Sequence, residues 1–195
     1  MFFAIVSRPL SLALCLQNLY LMKKIVLTNQ SEIEGYLDQI THSAEEAQLR
    51  VVETGESALA MEFFERLRFE KLGYDPLNSS RELNFIEQLN QSFTYLASFK
   101  AAKYIFQNHV GISELILNLG TTPGPDIETE DCGGISAEVF AATWPKSNNK
   151  LSKDIMKVQA TKAKHKYVFF MCPGIDWGEF NQDISKDVTV WSLGF

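Results

Sequence analysis

Residues 166–172, KYVFFMC, constrain this chain more than any other stretch. A β-strand turns successive side chains to opposite faces, so a strand with one wet face alternates apolar and polar. This run does not alternate, which suits a strand covered on both sides. A strand of that kind needs a layer of structure above and below it. Residues 135–143, ISAEVFAAT, form a second apolar run with one charge, Glu138, near its middle. Between the two lie a polar loop, 144–149, and a helical pattern over 150–165 in which Leu151, Ile155 and Val158 recur at i, i+4 and i+7. Strand, helix, strand predicts a parallel crossover, expected to be right-handed, with Glu138 and the helix's first turn on the same side of the domain. The fold class expected is α/β, bordering on α+β, with a central mixed sheet flanked by helices.

Upstream, residues 115–119 are apolar and end at Gly120, and residues 126–129 make a short strand. The linker Glu130-Asp131-Cys132-Gly133-Gly134 is turn-like, so 126–129 and 135–143 read as a hairpin. Parity then places Asp126 and Glu128 on one face, and Glu138 and Phe140 on one face of the neighbouring strand. A carboxylate among Ala137, Val139, Phe140 and Ala141 is costly to bury without a partner. Two carboxylates on adjacent strands could share a divalent cation through oxygen ligands. The alternatives are that Glu138 pairs with a lysine or lies at an exposed sheet edge.

The residues Pro125-Asp126 and Ala137-Glu138-Val139-Phe140, with eleven residues between Asp126 and Glu138, resemble the core of the PD-(D/E)XK, or restriction-endonuclease-like, nuclease superfamily. The resemblance covers about residues 57–171. It implies an α-β-β-β-α-β core and magnesium- or manganese-dependent cleavage of nucleic-acid phosphodiester bonds. It gives Asp126 and Glu138 the metal-binding roles and the main-chain carbonyl of Val139 a further ligand. The family's lysine falls at position 140, where this chain has Phe140. Some members supply it from a neighbouring helix, and here Lys153 is the first candidate and Lys150 the second. Glu62, within the expected first core helix, and Glu128 are possible accessory acids; Glu62 alternatively pairs with Arg66 at i+4.

The chain has 195 residues, 46% hydrophobic and 22% charged, with net charge −6. That is ordinary for a globular chain and argues against a generic nucleic-acid coat. Within it, residues 146–166 carry seven lysines and one acid, Asp154. Lys146, Lys150, Lys153 and Lys157 are therefore candidates for phosphate contact; a solvated helix face is the alternative. Cys15, Cys132 and Cys172 have no zinc-type spacing and read as free thiols of a reducing, cytoplasmic compartment. His109 has no second histidine nearby in sequence and reads as a helix C-terminal dipole partner.

Residues 1–21 are apolar but interrupted by Ser7-Arg8-Pro9 and Gln17-Asn18, too short a run to span a membrane. They read either as an upstream extension before a start at Met22 or as a real N-terminal element, with a signal peptide behind both. Residues 22–195 form one expected domain. Within it, 23–28 read as a strand, 31–40 as a helix capped by Ser31, and 41–56 as weakly patterned. Residues 57–72 read as an amphipathic helix stopped by Gly73, and 74–80 as a turn-rich loop. A long helix over 81–110, capped by Ser79 or Ser80, has a wide aromatic stripe suited to core packing or a homodimer contact. Residues 188–193 read as a closing strand.

Three functions follow. The first is a nuclease acting on nucleic acid, DNA before RNA, with no stable membrane association. The second is a catalytically inactive member of the same fold that binds nucleic acid or a protein. The third is a ligand or assembly domain with structural carboxylates.

Overall fold

The computed structural model describes residues 22–120, 122–181 and 185–195. Residues 1–21, and the readings attached to them, lie outside the described residues. The elements are β1 (Met22–Leu27), α1 (Ser31–Ser57), α2 (Ala60–Phe69), β2 (Gly73–Asp75), β3 (Asn78–Leu83), α3 (Phe85–Asn108), β4 (Leu115–Gly120), β5 (Ile127–Thr129), β6 (Ile135–Ala141), α4 (Lys150–Gln159), β7 (His165–Met171), β8 (Gly178–Glu179) and β9 (Thr189–Ser192). The main sheet has the order β1-β4-β5-β6-β7-β9-β8. It is mixed: β6 and β9 run parallel to β7, and the remaining neighbours are antiparallel. From α3 to β7 the chain follows an α-β-β-β-α-β order.

The apolar run behaves as its composition requires. Val168, Phe169, Phe170 and Met171 of β7 are buried. Phe169 and Met171 join the core that contains Ala97, Ala101 and Ile105 of α3 and Ile33 and Ile40 of α1. Val168 and Phe170 join a second core with Phe140 of β6 and Leu151, Ile155 and Val158 of α4. The sheet's centre is thus covered on both faces, and β6–α4–β7 is the expected parallel crossover.

Several boundaries differ from those read in the sequence. Residues 41–56 are helical, because Ser43, Ala47 and Thr54 continue the buried stripe of Ile33 and Ile40 with small side chains. Residues 57–72 are not one helix: Ser57 ends α1, α2 covers Ala60–Phe69, and Gly73 opens a strand. The stretch 74–80 belongs to the β2–β3 hairpin, pinned by buried Asp75, which accepts from Leu77 N at 2.9 Å, Arg81 Nη1 at 3.1 Å and the Tyr95 hydroxyl at 3.1 Å. The long helix is capped by Asn84 and not by Ser79 or Ser80; Asn84 and Glu87 form a reciprocal capping box. Its aromatic stripe is spent largely inside the chain, with Tyr95 and Phe99 buried and Phe99 stacked on Tyr36 of α1. Helix α4 ends at Gln159 and not at 165, since Lys164 N and His165 N donate to Gly133 O and Gly134 O and draw the chain into β7.

Among the described residues no helix is long and apolar enough to cross a membrane.

Candidate active site

β5 and β6 pair antiparallel, with Ile127 opposite Ala137. Asp126 and Glu138 occupy the next position along that ladder. The main chain of Asp126 continues the pairing with β4, its carbonyl accepting from Asn118 N at 2.8 Å. Its side chain continues the pairing toward β6, Oδ2 accepting from Val139 N at 2.8 Å. Asp126 is thereby fixed at both ends against the middle of β6.

Glu138 and Phe140 share the face that α4 covers, as parity required. The Glu138 side chain is only 2% exposed. Lys157 reaches it from α4: Nζ lies 2.7 Å from Oε1 and 2.7 Å from Oε2, with a hydrogen bond to Oε2 alone. The lysine side chain is 55% exposed, so it links solvent to a buried acid. One turn earlier, Asp154 is also buried; its Oδ1 accepts from Lys150 Nζ at 2.8 Å, and its Oδ2 has no hydrogen-bond partner.

The electrostatics follow from this crowding. Burial, then the charge of Asp126, push the Glu138 carboxyl up to about 7, against the pull of Lys157. Burial raises Asp126, opposed by the Val139 N–H, Lys157 and Lys150. Burial raises Asp154, opposed by Lys150 and Lys157. For Lys157, burial disfavours the ammonium, but Glu138, Asp126 and Asp154 together outweigh it and raise its pKa. A site with this many reluctant carboxylates is one that a cation would relieve.

The leftover oxygens test whether the residues fit a divalent metal. Asp126 engages Val139 N through Oδ2, while Lys157 Nζ lies 2.7 Å from both oxygens of Glu138, with no hydrogen bond to Oε1, so a cation here would share Glu138 with the lysine. Two oxygens on paired strands suit a hard cation. Among the described residues, no group of three or more His, Cys, Asp or Glu side chains is arranged to hold a metal ion. A cation here would therefore rest on two carboxylates, with main-chain, water or substrate oxygens completing its shell, as magnesium commonly accepts.

No protein-family model, no curated protein and no solved structure matches this chain.

Of the other residues singled out in the sequence, only some join this cluster. Lys150 does, with Nζ 5.9 Å from the Phe140 ring centroid as well as bound to Asp154. Lys153 and Lys146 are exposed and stand outside it. Glu62 pairs with Arg66 at 3.0 Å on α2, a helix with no buried residue that packs against α1 and α3. Glu128 shares the face of Asp126 but is tethered two residues away, its Oε1 accepting from Asn118 Nδ2 at 2.8 Å.

Sequence reasoning placed the reaching lysine one turn too early. β6 and β7 are parallel, so α4 must run back alongside β6: Lys150 lies over Phe140, Lys157 meets Glu138, and Ala163 packs on Gly134. Stepping back two strand residues covers about 6.6 Å, which takes between four and five residues of helix rise. Helical side chains also lean toward the helix N-terminus. Counted from Lys150 that rise reaches positions 154–155, so it leaves 153 and 157 both in range, and the contact itself assigns the role to Lys157, with Lys153 exposed. Asp154 was missed too, although it sits at i+3 from Leu151 on the apolar stripe, where a carboxylate is bound to be buried.

Proposed function

We propose that this chain is a metal-dependent nuclease of the PD-(D/E)XK kind in which Lys157 of α4 does the work of the lysine missing at position 140. The observation that carries this reading is the contact of Lys157 Nζ with the buried Glu138 carboxylate, opposite Asp126 on the next rung after the Ile127–Ala137 pair. The α-β-β-β-α-β order and the lysines along α4 support it.

In this reading Asp126 and Glu138 hold magnesium or manganese, with the Val139 carbonyl as a further donor. The bound ion supplies Lewis-acid polarisation of a phosphate oxygen and lowers the pKa of the attacking water. Asp126, fixed by Val139 N–H, sets the position of the pair. Lys157 favours the ionised form of Glu138 against its burial and presents an ammonium where negative charge grows on the attacked phosphate. Lys150, Lys153 and Lys146 offer positive charge along the approach for the nucleic-acid backbone.

A non-catalytic protein of the same fold that binds nucleic acid is the second reading. The closed pair favours it, because Lys157 already lies against both oxygens of Glu138.

Calorimetric titration of the full chain with magnesium and manganese, beside Glu138→Ala, tests the first reading. Cation binding that disappears in the variant, together with cleavage of DNA or RNA by the parent, supports the nuclease. Salt-sensitive nucleic-acid binding with neither cation binding nor cleavage leaves the second reading.

A further inference from the structure

Beside the carboxylate pair, on the same face of the sheet, lies a cavity of about 290 Å³. Glu128 of β5 and Ser136 of β6 form part of its wall; Gly133 and Gly134 line it from the hairpin turn, and Thr161 and Lys162 from the α4–β7 connection. Ser136 is two residues before Glu138 on β6 and so shares its face, about 6.6 Å away along the strand. Ser136 is only 3% exposed, and its hydroxyl has no hydrogen-bond partner. A buried hydroxyl left unpaired costs about 1–3 kcal/mol, so an unused one at a cavity wall points to a group that completes it.

The rest of the wall narrows the chemistry of that group. Glu128 stands directly opposite Ser136 in the β5–β6 register. Asn118 Nδ2 holds its Oε1 at 2.8 Å, leaving Oε2 to accept from a ligand. Lys162, which has no ion pair among the described residues, and the exposed Glu130 bring one charge of each sign to the rim. The two glycines, both at positive φ, keep the turn free of side chains; a Cβ at Gly133 or Gly134 would come within 3.2 Å of Lys164 or Ala163. The volume falls at the lower edge of ligand cavities, which run roughly 300–1,000 Å³, and suits one nucleoside but not a duplex.

We propose that this cavity takes one base of a single-stranded or unpaired substrate next to the cleaved phosphate, and that Glu128 selects bases carrying an exocyclic amino group. The inference rests on nucleic acid being the substrate of the neighbouring carboxylate site. The amino group of cytosine, adenine or guanine donates to Glu128 Oε2, and Ser136 Oγ bonds a ring nitrogen or carbonyl. Thymine and uracil have no amino group, and their one edge donor, N3–H, is flanked by two carbonyl oxygens that a carboxylate repels.

The experiment is fluorescence anisotropy of the full chain with short labelled oligo(dC) and oligo(dT) in calcium, run beside cleavage assays of both in magnesium. Oligo(dC) is expected to bind roughly fivefold or more tightly than oligo(dT). Glu128→Gln keeps an oxygen for Asn118 and turns an amide donor into the cavity, so it is expected to abolish or invert the preference. Ser136→Ala is expected to weaken oligo(dC) severalfold. Equal affinities with cleavage intact overturn the pocket and leave the nuclease reading standing. Discrimination without cleavage keeps the pocket and removes the nuclease reading. Binding to neither oligonucleotide removes both.

Discussion

Lys157 Nζ lies 2.7 Å from the Glu138 carboxylate, although the two residues are nineteen apart in sequence and sit on different layers of the fold. Their meeting is a consequence of chain direction. A parallel β6–β7 pair forces α4 to run back along β6, which brings its third turn, and not its first, over the middle of the strand. The acid is buried because β6 is a central strand, and the lysine crosses from solvent because α4 is the outer layer.

The lysines of α4 are therefore unequal. Lys157→Ala is expected to lower cleavage by about a hundredfold or more, the scale of losing one charge-stabilising donor. It also leaves Glu138 buried without its partner. Because the lysine is half-exposed, the stability cost should be about 1–3 kcal/mol, below that of breaking a fully buried pair. Lys153→Ala is expected to change cleavage less than about threefold, and only by weakening phosphate contact. Rates of the two variants under saturating magnesium, with urea midpoints for stability, make the comparison. Equal losses from both would remove Lys157 from its special place.

Position 140 is closed to the lysine that the motif would put there. Phe140 is buried, its ring 5.9 Å from that of Phe170, within the core that Leu151, Val168 and Val190 share. Phe140→Lys removes that packing and brings a second ammonium beside Lys150, whose Nζ is 5.9 Å from the ring it replaces. The expected cost is about 3 kcal/mol or more. A midpoint of chemical unfolding unchanged from the parent would show that this core is looser than its packing implies.

The part of the fold written in large apolar side chains was legible in the sequence. The run at 166–172, the strand around Glu138, the intervening helix and the adjacency of Asp126 and Glu138 all follow from periodicity and parity. What escaped was written in small or polar residues. The second half of α1 carries its stripe on Ser43, Ala47 and Thr54, which no hydrophobicity pattern reveals. The β2–β3 hairpin is organised by the buried Asp75 and its partners, Arg81 across the hairpin and the more distant Tyr95 of α3. The choice among Lys150, Lys153 and Lys157 depended on the offset between a helix and a strand, a three-dimensional quantity. Asn118 gave no local sign of its role, because its partners belong to another strand.

His109 provides a pH response outside the carboxylate site. Its Nε2 is 2.8 Å from the Tyr167 hydroxyl, and its ring is 4.6 Å from that of His165. Burial, then the charges of His165 and Lys164, lower its pKa from the usual 6.5. The folded chain therefore binds the His109 proton less readily than the unfolded chain does. Stability from this group is fully present above the unfolded value and is lost as pH falls through about 6.5 toward the lower folded value. Urea midpoints between about pH 8 and about pH 5 are expected to drop on the acid side, and to drop less in His109→Gln. An identical acid-side loss in that variant would assign the effect to other groups.

Asn118 is the residue on which the geometry of the acidic pair depends without being part of it. It is buried on β4, with its main chain donating to Asp126 O and its Nδ2 2.8 Å from both Pro125 O and Glu128 Oε1. Those bonds hold the turn into β5 on one side of Asp126 and the following acid on the other. Asn118→Ala keeps the main-chain bond and removes the two from the side chain, leaving Pro125 O short of a donor. The expected stability cost is about 1–3 kcal/mol. Because the residues on either side of Asp126 would then lose their side-chain tethers to β4, cation affinity is expected to fall about tenfold, the usual scale for losing an outer-sphere support. Asn118→Asp should be worse on both counts, since it sets a carboxylate against Glu128 and offers no donor to Pro125 O. Calorimetric cation titration at a temperature where both variants remain folded separates the two effects. An unchanged cation affinity in a destabilised Asn118→Ala chain would mean that the Val139 bond and the main-chain bond to residue 118 suffice to place Asp126.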